Sequence, residues 1–140
     1  MEGRQEVNSY LLDTNVWLER LLGQEKREEV GDFLSRVPSE QLNLSDFSFH
    51  SIGVILSRLN EHDLFVKFTR DLFLNGDVVI LSLKPTEMED VMNYQKRFGL
   101  DFDDAYQYVI SLNHNLVLLS FDTDFDKTNI ARKTPGEIKL

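Results

Sequence analysis

Three groups of carboxylates interrupt an otherwise apolar pattern, each where a secondary-structure element should begin or end. Asp13 closes the apolar run Tyr10-Leu11-Leu12 and is followed by Thr14-Asn15-Val16. Asp101, Asp103 and Asp104 open the periodic stretch Asp101-Phe102-Asp103-Asp104-Ala105. Asp122 and Asp124 follow a second apolar run, Leu116-Val117-Leu118-Leu119, in the segment Ser120-Phe121-Asp122-Thr123-Asp124. In an open α/β sheet, carboxylates just past the strands' carboxyl ends stand where ligands bind. Mg²⁺ and Mn²⁺ take oxygen ligands, usually a few carboxylates with waters completing the shell. Such ions can activate a water and offset the charge that builds on a phosphoryl group. If the three clusters meet at one sheet edge, a divalent-metal site is the expected result.

Each cluster also has a structural explanation. Asp13 could cap the helix that follows it. Asp101, Asp103 and Asp104 suit a first helical turn, where carboxylates favour the dipole and Asp-x-x-Asp imitates a capping box. Asp122 and Asp124 suit a turn. The co-occurrence of all three at element ends is what favours chemistry.

The elements that must carry these residues follow from periodicity. Residues 8–13 read as a buried strand, followed by a helix with Val16, Trp17, Leu21 and Leu22 inward and Gly23 near its end. A second amphipathic helix is expected over 24–37, stopped by Pro38. A short strand at 41–45 leads to a helix capped by Ser45 or Asp46, with Phe49, Ile52, Ile55, Leu56 and Leu59 on one face. A helix over 62–74 ends at Asn75-Gly76, and Val78-Val79-Ile80-Leu81 is a third strand. Pro85-Thr86-Glu87 opens a helix reaching Gly99. Phe102, Ala105, Tyr106, Val109 and Ile110 mark the clearest helix, over 101–114. A strand at 116–119, a short turn or helix near 124–127 and an edge strand at 137–140 complete the pattern. Strands alternating with helices predict a parallel sheet covered on both faces, whose strand order periodicity does not give.

Composition bounds the partners. With 140 residues, 41% apolar and ten phenylalanines, one folded domain over 1–140 is expected. There is no cysteine, which excludes disulfides and thiolate metal sites. The segment Met1–Val7 is too polar for a signal peptide, and no apolar run is long enough to span a bilayer, so we expect a soluble cytoplasmic protein with no membrane association. A formal charge of −9, with basic residues only in small groups such as Lys26-Arg27, Lys96-Arg97 and Arg132-Lys133, disfavours tight nonspecific nucleic-acid binding. A bound divalent ion would reverse that field locally.

Taken together and in order, these motifs resemble the PIN domains, a family that includes the VapC-type toxin ribonucleases. The resemblance spans nearly the whole chain. It rests on Leu12-Asp13-Thr14-Asn15-Val16, on Asp104-Ala105 opening a late helix, on Ser120-Phe121-Asp122-Thr123-Asp124-Phe125, and on the ending Thr134-Pro135-Gly136-Glu137. It implies a three-layer α/β/α fold with a central, mostly parallel sheet. It also implies a metal-dependent endoribonuclease that hydrolyses RNA phosphodiester bonds with a metal-activated water, using Mg²⁺ or Mn²⁺. By position, Asp13, Asp104 and Asp122 would be the catalytic, metal-holding acids and Asp124 a further ligand. Asn15 and Ser120 would support them by hydrogen bonding. Helix geometry does not separate Asp103 from Asp104; the family's Asp-Ala pair selects Asp104. The implied partners are an RNA substrate, a small antitoxin and a second copy of the chain.

One departure stands out. PIN nucleases usually carry a Glu about six residues after a Ser, early in the third helix. Here Ser45-Asp46-Phe47-Ser48-Phe49-His50-Ser51 puts Ser51 in that place and contains no Glu. His50 could replace it as an imidazole ligand, better suited to Mn²⁺ than to Mg²⁺, or Asp46 could reach in from the helix start. A lone His on a helix rich in Phe and Ile is also a natural packed residue. The alternative is a PIN-fold binding or scaffold protein whose nuclease site has decayed. His62 and His114 read as helix-end residues, Trp17 as core, and the Phe65, Phe68 and Phe73 group as core or a dimer face.

Overall fold

In the computed structural model, which describes residues 8–140, the first strand β1 (Tyr10–Leu12) sends Tyr10 and Leu12 into one core and Leu11 into another. The two-residue period of a strand demands that split. The polar segment 1–7, read above as no signal peptide, lies outside the described residues. β1 is shorter than 8–13 because Asp13 already turns out of the strand to cap the next helix.

Helix α1 (Thr14–Leu21) buries Val16 and Trp17, and Gly23, at φ +62°, closes the turn after it. Helix α2 (Arg27–Arg36) starts three residues later than expected, since Gln24–Lys26 form a turn in which the Glu19 carboxylate accepts from the Lys26 amide at 2.7 Å. Strand β2 (Leu42–Ser45) runs into helix α3 (Asp46–Arg58), and Ser45 proves to be the cap, accepting from the Ser48 amide at 2.9 Å. Helix α4 (His62–Thr69) loosens into a π-helical turn over Arg70–Leu74, closed by the Asn75 amide on the Arg70 carbonyl at 2.8 Å. Strand β3 (Val79–Leu81) precedes α5 (Met88–Phe98), whose last turn is ended by Gly99 at φ +67°. Helix α6 (Phe102–His114) is capped by Asp101, which accepts from the Asp104 amide at 2.9 Å, and strand β4 (Val117–Leu119) follows.

The sheet has the order β3-β2-β1-β4, with every pair parallel. Helices α1 to α4 pack on one face around Tyr10, Leu12, Trp17, Phe33, Leu44 and Ile52. Helices α5 and α6 cover the other around Leu11, Ile110, Leu118, Phe125 and Val91. This is the expected three-layer α/β/α arrangement, and no described helix is long and apolar enough to cross a membrane. Phe65, Phe68 and Phe73 belong to the core: Phe68 meets Trp17 edge-on at 5.5 Å, and Phe49 meets Phe65 and Phe73 at 5.4 Å each. His62 and His114 are the first residue of α4 and the last of α6.

The expected edge strand at 137–140 does not form. The pairing lies upstream, where Lys133 alone bridges Leu119 in parallel, its amide donating to the Leu118 carbonyl at 3.0 Å. Pro135–Glu137 then forms a 3₁₀ turn, because the Glu137 carboxylate accepts from the Thr134 amide (2.8 Å) and hydroxyl (3.0 Å). Pro135 has no N–H to offer a neighbouring strand. The turn docks on α2, the Gly136 amide donating to Glu29 Oε2 at 2.7 Å.

Candidate metal centre

Parallel strands bring their carboxyl ends to one edge, and there the chain assembles a buried polar layer beneath an acidic rim. Asp13 lies at its centre, 8% exposed. Its Oδ1 accepts from the Thr14 amide (2.8 Å) and from Gln107 Nε2 (3.0 Å), and its Oδ2 accepts from the Ser120 hydroxyl (2.7 Å). One aspartate thus joins β1, α1, α6 and the end of β4. Burial pushes its carboxyl above the usual range, against the lowering effect of the Ser120, Gln107 and Thr14 hydrogen bonds.

Ser120 is wholly buried and also positions the loop beyond it, since its Oγ accepts from the Asp122 amide at 2.9 Å and from Asn15 Nδ2 at 3.4 Å. Asn15 returns the contact, its Oδ1 accepting from the Phe121 amide at 3.2 Å. Asp122 Oδ1 in turn accepts from the Asp124 amide at 2.9 Å, folding Thr123–Lys127 into a 3₁₀ turn. From below, Arg132 steadies the same loop, donating to the Ser120 carbonyl at 3.0 Å and to both oxygens of Asp126 at 3.1 Å.

The loop and the first turn of α6 bring Asp104, Asp122 and Asp124 together, with carboxylate oxygens within 4.8 Å of one another. Asp104 is buried, Asp122 half-buried and Asp124 exposed. Desolvation first, then the charges of Asp101, Asp122, Asp13 and Asp124, push the Asp104 carboxyl up to about 8. A donor set made only of carboxylate oxygens, under mutual repulsion, suits a hard divalent cation. Lys127 approaches the rim at 3.5 Å from Asp124.

The sequence-derived candidates separate into two places. Asp104, Asp122 and Asp124 form the rim; Asp13, Asn15 and Ser120 form the layer beneath it. Asp103 is exposed and stands outside the cluster. Asp46 and His50 are exposed and line a neighbouring groove with Phe47, Phe102 and Tyr106, outside the group of three acids. His50 is therefore neither packed in the core nor among the clustered ligand atoms. Ser51 is half-buried.

Three further residues complete the layer and went unread in the sequence. Gln107 Nε2 donates to Ser48 Oγ at 3.0 Å as well as to Asp13, and the Thr14 hydroxyl donates to Ser48 at 2.8 Å. A signal existed for Gln107, an amide on the buried side of α6 between Ala105 and Ile110. Such a group must find partners or incur a desolvation cost. Ser48 and Thr14 carried no comparable signal.

A family model described as PIN domain matches residues 10–131. No curated protein matches the chain. Among solved structures, the chain is similar to a toxin-antitoxin complex from Klebsiella pneumoniae, at 21% identity over 93% of this chain and 100% of that one, with a TM-score of 0.73. It is similar to Mycobacterium tuberculosis VapC20, described as a sarcin-ricin loop cleaving toxin, at 17% identity over 88% and 97%, with a TM-score of 0.74. It is also similar to FitAcB from Neisseria gonorrhoeae, at 24% identity over 92% and 99%, with a TM-score of 0.70. At these identities the likeness shows the fold; with the family match over most of its length, the chain belongs to the PIN domain family.

Proposed function

We propose that the chain is a divalent-metal-dependent endoribonuclease that hydrolyses RNA phosphodiester bonds, with Mg²⁺ or Mn²⁺ as its cofactor. The observation that carries this reading is the convergence of Asp104, Asp122 and Asp124, with the Asp104 carboxyl raised to about 8 by burial first and by its acidic neighbours second. These three would hold the cation, which when bound supplies a Lewis acid and an activated water for phosphodiester hydrolysis. Asp13 adds negative charge beneath them and is kept in one orientation by Thr14, Gln107 and Ser120. Asn15 and Ser120 fix the loop that presents Asp122. A cation held there would need the Asp104 carboxyl unprotonated, so affinity should rise with pH.

The similarity to a sarcin-ricin loop cleaving toxin and to a toxin-antitoxin complex supports RNA as the substrate class and a small antitoxin as partner. A homodimer remains part of the proposal. A decayed, binding-only protein is favoured by one observation: α3 puts Ser51 where the family's Glu usually stands and adds no carboxylate to the cluster of three.

The deciding experiment follows cleavage of single-stranded RNA with Mn²⁺ and with EDTA, for wild type and for Asp122→Asn. We expect Mn²⁺-dependent cleavage that is lost in a folded Asp122→Asn. Undiminished cleavage by the folded variant overturns the assignment. A wild type that neither cleaves nor gains thermal stability from Mn²⁺ establishes the decayed reading.

A further inference from the structure

Between the starts of α3 and α6 runs a groove of about 470 Å³ lined by Asp46, Phe47, His50, Phe102 and Tyr106. Its size falls within the ~300–1,000 Å³ of small-molecule sites. It shares two elements with the centre: Phe102 and Asp104 both lie in the first turn of α6, and Ser48, two residues past Asp46 on α3, bonds the Gln107 that holds Asp13. Residues two apart on a helix face different sides, so groove and rim open on different faces of the same helix starts.

The lining has a definite chemistry. Phe102 is 42% exposed, an aromatic face offered to solvent rather than to the core. Asp46 is held rigid: its Oδ1 accepts from the Tyr106 hydroxyl and from the Phe47 amide, each at 2.9 Å, and the Tyr106 oxygen accepts from the Leu83 amide at 3.0 Å. Asp46 Oδ2 has no hydrogen-bond partner among the described residues and is free to accept. No Lys or Arg lines the groove, so a phosphate is not what it takes. A flat, uncharged ring that stacks on Phe102 and presents donors to a carboxylate meets these terms. Stacking of bases on exposed aromatic side chains is the general device for holding single-stranded RNA.

Among the four bases, the donor pattern selects one. On its Watson–Crick edge guanine places N1–H and the N2 amino group side by side. Adenine and cytosine put a ring acceptor next to their amino group, and uracil flanks its single N–H with two carbonyls. A fixed carboxylate oxygen repels those acceptors, whereas guanine offers it two adjacent donors.

We propose that this groove is a guanine-reading subsite for a nucleotide of the bound RNA, with Phe102 as stacking platform and Asp46 as the group that recognises the base. It rests on the ribonuclease reading of the neighbouring centre and assigns Asp46 to substrate selection rather than to the metal.

The test measures binding without turnover. Fluorescein-labelled uridine hexanucleotides carrying one central G, A or C, together with the all-U sequence, are titrated by anisotropy in EDTA. The proteins are wild type, Asp46→Asn and Phe102→Ala. Asp46→Asn keeps an oxygen for Tyr106 and removes the charged acceptor from the groove. We expect the G probe to bind wild type about tenfold more tightly than the others, a discrimination typical of one well-placed base contact. The preference should fall to within about twofold in Asp46→Asn, and Phe102→Ala should weaken all four probes by roughly tenfold. Equal affinity for all probes, a preference unchanged in Asp46→Asn, or no measurable binding of any probe overturns the inference. Because no cleavage is read, the two readings fail separately. A G preference in a protein that never cleaves sinks the nuclease alone, and Mn²⁺-dependent cleavage without a G preference sinks the subsite alone.

Discussion

Replacing Asp104 with asparagine should stabilise the cation-free protein above neutral pH while removing its response to Mn²⁺. The folded Asp104 carboxyl titrates at about 8 instead of 3.8, so between those values the folded state holds a proton that the unfolded chain has released. The stability this proton confers is complete below the unfolded value and is lost as pH rises through the folded one. At about 1.36 kcal/mol for each tenfold change in proton affinity, the whole displacement sets a ceiling of ~6 kcal/mol. Asp122 and Asp124 stand at the open mouth of the cluster, and solvent screening of such charges reduces the realised figure to roughly 1–3 kcal/mol. Asparagine carries no titrating proton, so the variant should overtake wild type by that amount as pH rises, or by roughly 3–9 °C in melting temperature for a chain of this length. Trp17, the only tryptophan and 2% exposed, reports unfolding directly. Urea titrations in EDTA from about pH 5 to about pH 9 measure the gap between the two proteins. Asp103, raised by partial desolvation and by the charge of Asp101, slopes the same way in both proteins and cancels in the difference; Asp13, raised mainly by burial, cancels except for the part of its slope that depends on the charge of Asp104. A gap that stays constant across this range refutes the raised Asp104 carboxyl, from burial and acidic neighbours together. With Mn²⁺ added, the order should reverse, because only wild type gains binding free energy.

Two further substitutions test the scaffold. Gln107→Leu removes the donor to Asp13 and to Ser48 but also an amide oxygen, Oε1, that is buried without a partner. The net loss at pH 8 should be ~1–2 kcal/mol by urea titration, and unchanged stability would show that Asp13 finds its orientation without the amide. Gly76→Ala places a Cβ 2.8 Å from the Asp71 carbonyl oxygen and 2.9 Å from that of Leu72, both backbone atoms that cannot swing away. We expect a loss of ~1–3 kcal/mol with the Mn²⁺ response intact; a neutral substitution would mean that the π-helical turn relaxes freely.

Much of the fold was legible because both faces of the sheet are covered. Buried parallel strands write themselves as continuous apolar runs, and Asp101, Pro38 and Gly99 punctuate the helices between them. The acidic positions were legible for a similar reason, since Asp13, Asp104 and Asp122 sit at element ends. Strand order was not, because period-two patterning carries no information about neighbours. The tail misled: Ile138-Lys139-Leu140 looks like an edge strand, but the Glu137 carboxylate closes a local turn on Thr134 that periodicity does not register. Ser48 and Thr14 were invisible because a hydroxyl's role depends on what lies opposite it across two helices, 34 residues apart in sequence. His50 was read against the wrong background, since the apolar face of α3 points elsewhere and leaves the imidazole in solvent.

The way Asp13 is held has a consequence for how such chains change over generations. It caps α1, anchors α6 through Gln107 and secures the end of β4 through Ser120, so purifying pressure on folding alone is enough to retain it. A chain of this fold with no nuclease activity would still need Asp13, Ser120 and Gln107 for architectural reasons. Asp122 and Asp124, on the solvent side, organise only their own loop, and their loss would be the earlier mark of a chain without a metal site. In this chain both are present.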